Sequence, residues 1–150
     1  MEEYFFNRLA SVIYRQGNSF FDKELADTPV GTGQQFFLLL VYENPGISAL
    51  DLAKQGRFDK GTVTKAVQKL IAQECIRWES DEKDGRIRHL YATEKGERIL
   101  DEVRRVREAW NTILVQGMTA EEIAQADQLL KKMAENAYCY KKDLQECEEK

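Results

Sequence analysis

With one histidine, three cysteines and two prolines in 150 residues, the chain has few of the side chains that most enzyme sites and secreted scaffolds require. The lone histidine, His89, rules out a histidine-based metal cluster or an HExxH zinc site, and a Ser-His-Asp triad would have to use that one residue inside a β-prone segment. Neither a Walker A lysine loop nor a GxGxxG run is present, so the glycine-rich phosphate cradles are missing too. No enzymatic activity, metal or cofactor is expected, and His89 reads as a structural or surface residue. Cys75, Cys139 and Cys147 are odd in number and lack CxxC spacing, which argues against a disulfide framework and a zinc ribbon. The longest apolar run, Phe36-Phe37-Leu38-Leu39-Leu40-Val41-Tyr42, is too short to span a bilayer, and Met1-Glu2-Glu3 lacks the basic start of a signal peptide. A cytoplasmic protein with no membrane partner is expected.

What is present fits one helix-rich domain: 43% apolar and 32% charged residues in a chain of common domain size. The net charge of −4 is unevenly placed. Ser48 to Gly96 holds ten lysines and arginines against eight aspartates and glutamates, a balance of +2, while the rest holds twelve against eighteen, a balance of −6. The basic residues are concentrated in the middle of the chain.

Hydrophobic spacing and punctuation divide the chain into six helices and a hairpin. From about Glu2 to Asp27, Phe5, Leu9, Val12, Ile13, Phe20 and Phe21 share a helical face, and Thr28-Pro29 ends it. Thr32-Gly33-Gln34-Gln35 reads as a capping box before a largely buried helix that stops at Asn44-Pro45-Gly46. Ser48 and Asp59 are N-cap candidates for two short helices joined at Gly56-Arg57-Phe58 by a tight glycine turn. In the second of these, Val63, Ala66, Val67, Leu70 and Ile71 make one stripe, leaving Gly61, Lys65, Gln68 and Lys69 outward. Cys75 to Glu79 and Ile87 to Ala92 are β-prone around a charged turn. Thr93 and the box Thr119-Ala120-Glu121-Glu122 open two long helices. Their seams, Ile99, Val103, Val106, Trp110 and Ile113, then Ile123, Ala126, Leu130, Met133, Ala137, Tyr140 and Leu144, have coiled-coil-like spacing.

Two short helices followed by a hairpin make a winged helix-turn-helix, within a mainly α fold (α+β) carrying a small β-hairpin wing. The outward face of its second helix suits the DNA major groove. Lys65 and Lys69 can meet phosphates or guanine acceptors, Gln68 can read adenine, Thr62 and Thr64 can donate to phosphate or touch a thymine methyl, and Gly61 permits close approach. Ser48 and Lys60 at the two helix starts, and Lys83, Asp84, Arg86 and Arg88 on the hairpin, complete the candidate DNA-binding set.

Ile47-Ser48-Ala49-Leu50-Asp51-Leu52-Ala53, Asp59-Lys60-Gly61-Thr62-Val63-Thr64-Lys65, Asp84-Gly85-Arg86-Ile87-Arg88 and Leu90-Tyr91-Ala92-Thr93-Glu94-Lys95-Gly96 together resemble the MarR family of transcription regulators. The last two carry most of the likeness: Asp-x-Arg at the wing tip, then Leu-Thr-x-x-Gly at its exit with Ala92 in place of the leucine. The resemblance implies a single domain over 1–150, with a DNA-binding lobe at 32–96 and dimerisation helices at 1–28 and 97–150. It further implies a homodimer on a pseudo-palindromic operator in double-stranded DNA, usually released by a small ligand or an oxidant, with Arg86 entering the minor groove and Asp84 holding it. Family ligand pockets lie between dimerisation helices and DNA-binding lobe, and the aromatic residues Tyr14, Phe20, Phe36, Tyr42 and Trp110 are the candidates to line one. Repression under ligand control is the leading expectation. The alternatives are a thiol-based redox regulator of the same fold, disfavoured because no cysteine lies near the N-terminal end, and a coiled-coil interaction protein, which leaves the hairpin without a purpose.

Overall fold

The computed structural model describes residues 4–148, with side chains through residue 140. The element order is α1 (Phe6–Glu24), α2 (Thr32–Glu43), α3 (Ala49–Gly56), α4 (Lys60–Ala72), β1 (Ile76–Ser80), β2 (Arg88–Ala92), α5 (Glu94–Leu114) and α6 (Ala120–Glu148). The chain divides after Trp110 into two compact units. Among the described residues, no helix is long and apolar enough to cross a membrane.

In the first unit, α2, α3, α4 and the β1–β2 hairpin surround one core of Phe37, Leu38, Val41, Leu52, Val63, Leu70, Ile76 and Leu90. Burial of these side chains supplies the main driving force for folding, each contributing roughly 1.5–3 kcal/mol against exposure. Ile99, Leu100, Val103 and Val106 of α5 are buried in the same core. Three residues of the expected α5 seam thus pack inside their own unit, while Ile113 is exposed. On α6, Ile123, Leu130, Met133 and Tyr140 are exposed, and Leu144 and Cys147 lie outside the described side chains.

Local caps set most of the helix starts. Ser48 Oγ accepts from the Asp51 amide at 3.1 Å, Asp59 Oδ1 from the Thr62 amide at 2.9 Å, and Thr93 Oγ1 from the Gly96 amide at 3.1 Å. Thr119 and Glu122 form the reciprocal box, at 3.2 and 2.8 Å. Each bond satisfies an amide that the first helical turn leaves without a partner. The start of α2 departs from expectation by one residue. Gly31 is its N-cap, with its amide donating to Gln34 Oε1 at 3.3 Å, and the Thr32 hydroxyl instead donates to Asp22 Oδ1 at 2.6 Å.

The α3–α4 turn is also not the glycine turn that the sequence suggests. Arg57, with φ 56° and ψ 39°, takes the left-handed conformation, and Gly56 closes α3. Glycine is needed there for space, since a Cβ on Gly56 would stand 2.9 Å from the Phe58 ring and 3.2 Å from Phe36. Phe36, Phe37 and Phe58 form an aromatic triad, with centroid separations of 4.9 to 5.9 Å, that fastens the turn to α2.

The hairpin pairs Ile76 with Ala92 through to Ser80 with Arg88. A third segment joins it through an isolated bridge between Ile47 and Leu90: the Gly46 amide donates to Leu90 O at 2.8 Å, and the Leu90 amide donates to Ile47 O at 2.9 Å. The wing is thereby tied to the entrance of α3.

Candidate nucleic-acid interface

The outward face of α4 is as the periodicity requires. Gly61, Thr62, Thr64, Lys65, Gln68 and Lys69 are exposed, while Val63, Ala66, Val67 and Leu70 are buried. Among the described residues, none of the ion pairs engages Lys60, Lys65, Lys69 or Lys83. Those ammonium groups are available to an anion.

Three hydroxyls in the candidate set are already employed. Ser48 Oγ donates to Asp51 Oδ2 at 2.9 Å, Thr62 Oγ1 to Asp59 Oδ2 at 2.7 Å, and Thr64 Oγ1 to Lys60 O at 2.8 Å. A phosphate offers only acceptors, so these residues could donate to it only by giving up an internal bond. The methyl groups of Thr62 and Thr64 remain free for apolar contact. The Asp59 carboxyl is held below its ordinary range by the Thr62 hydroxyl and then the Thr62 amide, which keeps the cap ionised.

At the wing tip the chain folds back on two aspartates. Asp81 Oδ1 accepts from the amides of Lys83 and Asp84 at 2.8 and 2.9 Å, and the Ile87 amide donates to Asp84 O at 2.9 Å. Asp84 also takes three bonds from Arg86: the amide and Nε to Oδ1, at 3.1 and 3.0 Å, and a terminal guanidinium nitrogen to Oδ2 at 3.1 Å. The Arg86 side chain is nonetheless 91% exposed. A guanidinium that is oriented without being buried is prepared for a partner in solution.

Arg88 lies with its guanidinium carbon 4.0 Å from the Trp78 ring centroid, and Arg77 likewise 4.6 Å over Tyr91 while pairing with Glu79. Trp78 is not singled out by the sequence pattern; the cross-strand register makes it the platform for Arg88. Thr64, Gln68, Arg86 and Arg88 line one cavity of about 610 Å³ between α4 and the wing, with α3 and Gly46 on its other walls.

Of the five aromatic candidates for an effector pocket, two are in contact with each other and three lie elsewhere. Phe20 meets Trp110 at 5.3 Å between centroids, Phe36 belongs to the triad with Phe37 and Phe58, Tyr42 lies under Arg104 at 4.9 Å, and Tyr14 is exposed. Cys75 is fully buried, its Sγ 3.6 Å from Gln73 O, and burial pushes its thiol up, away from the thiolate that oxidants attack. Cys139 is exposed on α6.

The model of the MarR family matches residues 32–87, which run from the first turn of α2 to the wing tip. Over 129 residues the chain is 33% identical to the uncharacterized HTH-type transcriptional regulator YybA of Bacillus subtilis, covering 86% of each protein. This chain belongs to the MarR family. A MarR protein of Peptoclostridium difficile superposes with a TM-score of 0.86 at 28% identity, over 93% of this chain and 92% of that one. A MarR family regulator of Listeria monocytogenes, complexed with 26mer DNA, superposes with a TM-score of 0.82 at 27% identity, over 95% and 96%. The winged helix-turn-helix read from spacing is therefore the MarR fold, and the protein is a transcription regulator.

The MarR pattern at the exit of the wing has a physical basis here. Thr93 Oγ1 donates to Glu74 O at 2.6 Å while accepting from the Gly96 amide, and the Thr93 amide donates to Cys75 O at 3.0 Å. One threonine thus caps α5 and stitches it to the turn before β1. Ala92, where the family typically has leucine, is partly buried opposite Ile76.

Proposed function

We propose that this MarR regulator binds a pseudo-palindromic operator as a homodimer, represses transcription and is released by a small-molecule effector, acting in the cytoplasm without enzymatic activity. The observation that carries the proposal is the placement of the α4 face and the forked Arg86 on two sides of one cavity. Lys65, Gln68 and Lys69 meet base edges and phosphates in the major groove, Lys60 and Lys83 meet flanking phosphates, and Arg86, oriented by Asp84, enters the adjacent minor groove. The Listeria relative complexed with 26mer DNA supports this reading. Residues 32–96 carry the DNA contacts, whereas 1–28 and 97–150 supply dimer contacts. Support for the latter comes from the exposed Phe5, Phe6, Leu9, Val12 and Ile13 on or beside α1 and the exposed apolar residues of α6. The burial of Cys75 favours ligand control over peroxide sensing.

Sedimentation should give about twice the 17.4 kDa chain mass at micromolar concentration, and a monomer there would end the two-half-site scheme, whose recognition helices stand about 34 Å apart. Selection from random-sequence DNA should return an inverted repeat. Replacing Gln68 or Lys65 with Ala should relax base preference at particular positions of each half-site, costing about 1–3 kcal/mol against the preferred duplex for a lost bidentate contact. Unchanged preference in both variants would remove α4 from base reading.

A further inference from the structure

His89 is held between two oxygens that can only accept. Its Nδ1 lies 2.8 Å from Gly46 O, 43 residues earlier in the chain, and its Nε2 lies 2.8 Å from Asp81 Oδ2. A neutral imidazole has one donor and one acceptor nitrogen, so it satisfies only one of these contacts and turns a lone pair toward the other oxygen. The imidazolium donates to both.

The two anchors are themselves fixed. Gly46, at φ +86°, takes a backbone conformation that L side chains rarely adopt, and its own amide bonds Leu90 of the wing. Asp81 is the residue on which the tip turn is built, through its bonds from the amides of Lys83 and Asp84. His89 therefore links the α2–α3 loop, β2 and the turn that displays Arg86. The imidazole and the Asp81 side chain are 33% and 29% exposed, so solvent can exchange the proton.

We propose that His89 acts as a positioning residue for the DNA-binding wing in its imidazolium form, and that loss of its proton loosens the tip and weakens DNA binding. This rests on the DNA-binding reading above. The charged groups around the imidazole are consistent with it. Asp81 faces it directly, and Glu79 is its cross-strand partner on β1, engaged with Arg77. Asp51 of α3 and Arg86 and Arg88 of the wing line the same cavity, to which α4 contributes only the uncharged Thr64, Val67, Gln68 and Ile71. The Asp81 bond and then the Gly46 carbonyl raise the pKa of His89, while His89 and then the amides of Asp84 and Lys83 hold the Asp81 carboxyl at about 2. The imidazolium's contribution is fully present below the unfolded value near 6.5 and is lost as pH rises through the higher folded value. At the acid end, the Asp81 contribution disappears as pH falls toward about 2.

Because the chain has a single histidine, the tag-free protein gives one imidazole Cε1–H resonance by NMR. Its titration midpoint should lie above about 6.5 and should fall in Asp81→Asn, which removes the charge and keeps the shape. An ordinary midpoint in the wild type, or one that Asp81→Asn leaves in place, overturns the clamp. In parallel, affinity is measured for a duplex recovered from random-sequence DNA. Wild-type affinity should drop as pH rises above the NMR midpoint, by about tenfold for each unit by which DNA binding raises the His89 pKa further. His89→Gln, checked for folding by circular dichroism, should bind more weakly at low pH and lack that step. A pH-independent wild type, or a step retained in His89→Gln, overturns the positioning role. Failure to bind any recovered duplex would count against DNA recognition itself, while the NMR titration judges the clamp separately.

Discussion

Replacing Gly96 with alanine should destabilise the first unit by about 3 kcal/mol, near the upper end of what overpacking a well-filled site costs. A Cβ at this position would lie 2.1 Å from the Cys75 carbonyl oxygen and 3.1 Å from its carbon, both backbone atoms, with Leu38 at 3.2 Å behind them. A flexible side chain can swing away from such an intrusion; a peptide group held by the Thr93 amide cannot without moving β1 against α5. The same carbonyl accepts the Thr93 hydrogen bond, so displacing it also weakens the cap of α5. Urea unfolding should show a lower midpoint with an unchanged denaturant slope. Gly33→Ala is the control, since no atom lies within 4 Å of its added Cβ and a helical alanine gains about 0.5–1 kcal/mol over glycine. If Gly96→Ala unfolds like the wild type, steric exclusion is not why the wing exit needs glycine.

Arg86→Ala has the opposite signature, with little effect on stability and a large one on binding. Its bonds to Asp84 are made in solvent, where an ion pair adds little to folding. In the proposed complex the same fork would meet the concentrated negative potential of the minor groove, and its orientation has already been set by Asp84. Affinity should fall roughly ten- to a hundredfold, and the slope of log affinity against log salt should shrink by about one phosphate equivalent. The preferred core sequence should hardly change, because the minor groove distinguishes bases poorly. Arg86→Lys should keep the salt slope while recovering only part of the affinity, since an ammonium preserves the charge but cannot make the two-pronged contact with Asp84. Titration of the three proteins against preferred and scrambled duplexes at several salt concentrations reads all of these effects. Unchanged affinity and salt slope in Arg86→Ala would mean that the hairpin does not touch DNA.

The two variants also show which kind of information each residue carries. Asp84-x-Arg86 can be recognised from adjacent residues because its chemistry closes within a single turn. Gly96 can be recognised as a pattern, but its reason lies in a carbonyl 21 positions earlier in the chain, which nothing in its neighbourhood betrays. Gly56 misleads in the same way. Its place between two short helices suggests a left-handed turn, yet Arg57 supplies that conformation and Gly56 makes room for Phe36 and Phe58.

The amino-acid order alone determined the helices, the caps of α3, α4, α5 and α6, the inward stripe of α4, the hairpin and the cation at its tip. Each depends on interactions spanning one or two turns of helix or one pair of adjacent strands, where covalent spacing already brings the partners together. Only the tertiary structure decided the rest. It joined Ile47 to Leu90, gave the first half of the α5 seam to the unit's own core, set Phe20 against Trp110 and Phe36 against Phe58, and placed His89 between Gly46 and Asp81. Those outcomes depend on the path of the chain through space, which brings together residues tens of positions apart that share no periodicity.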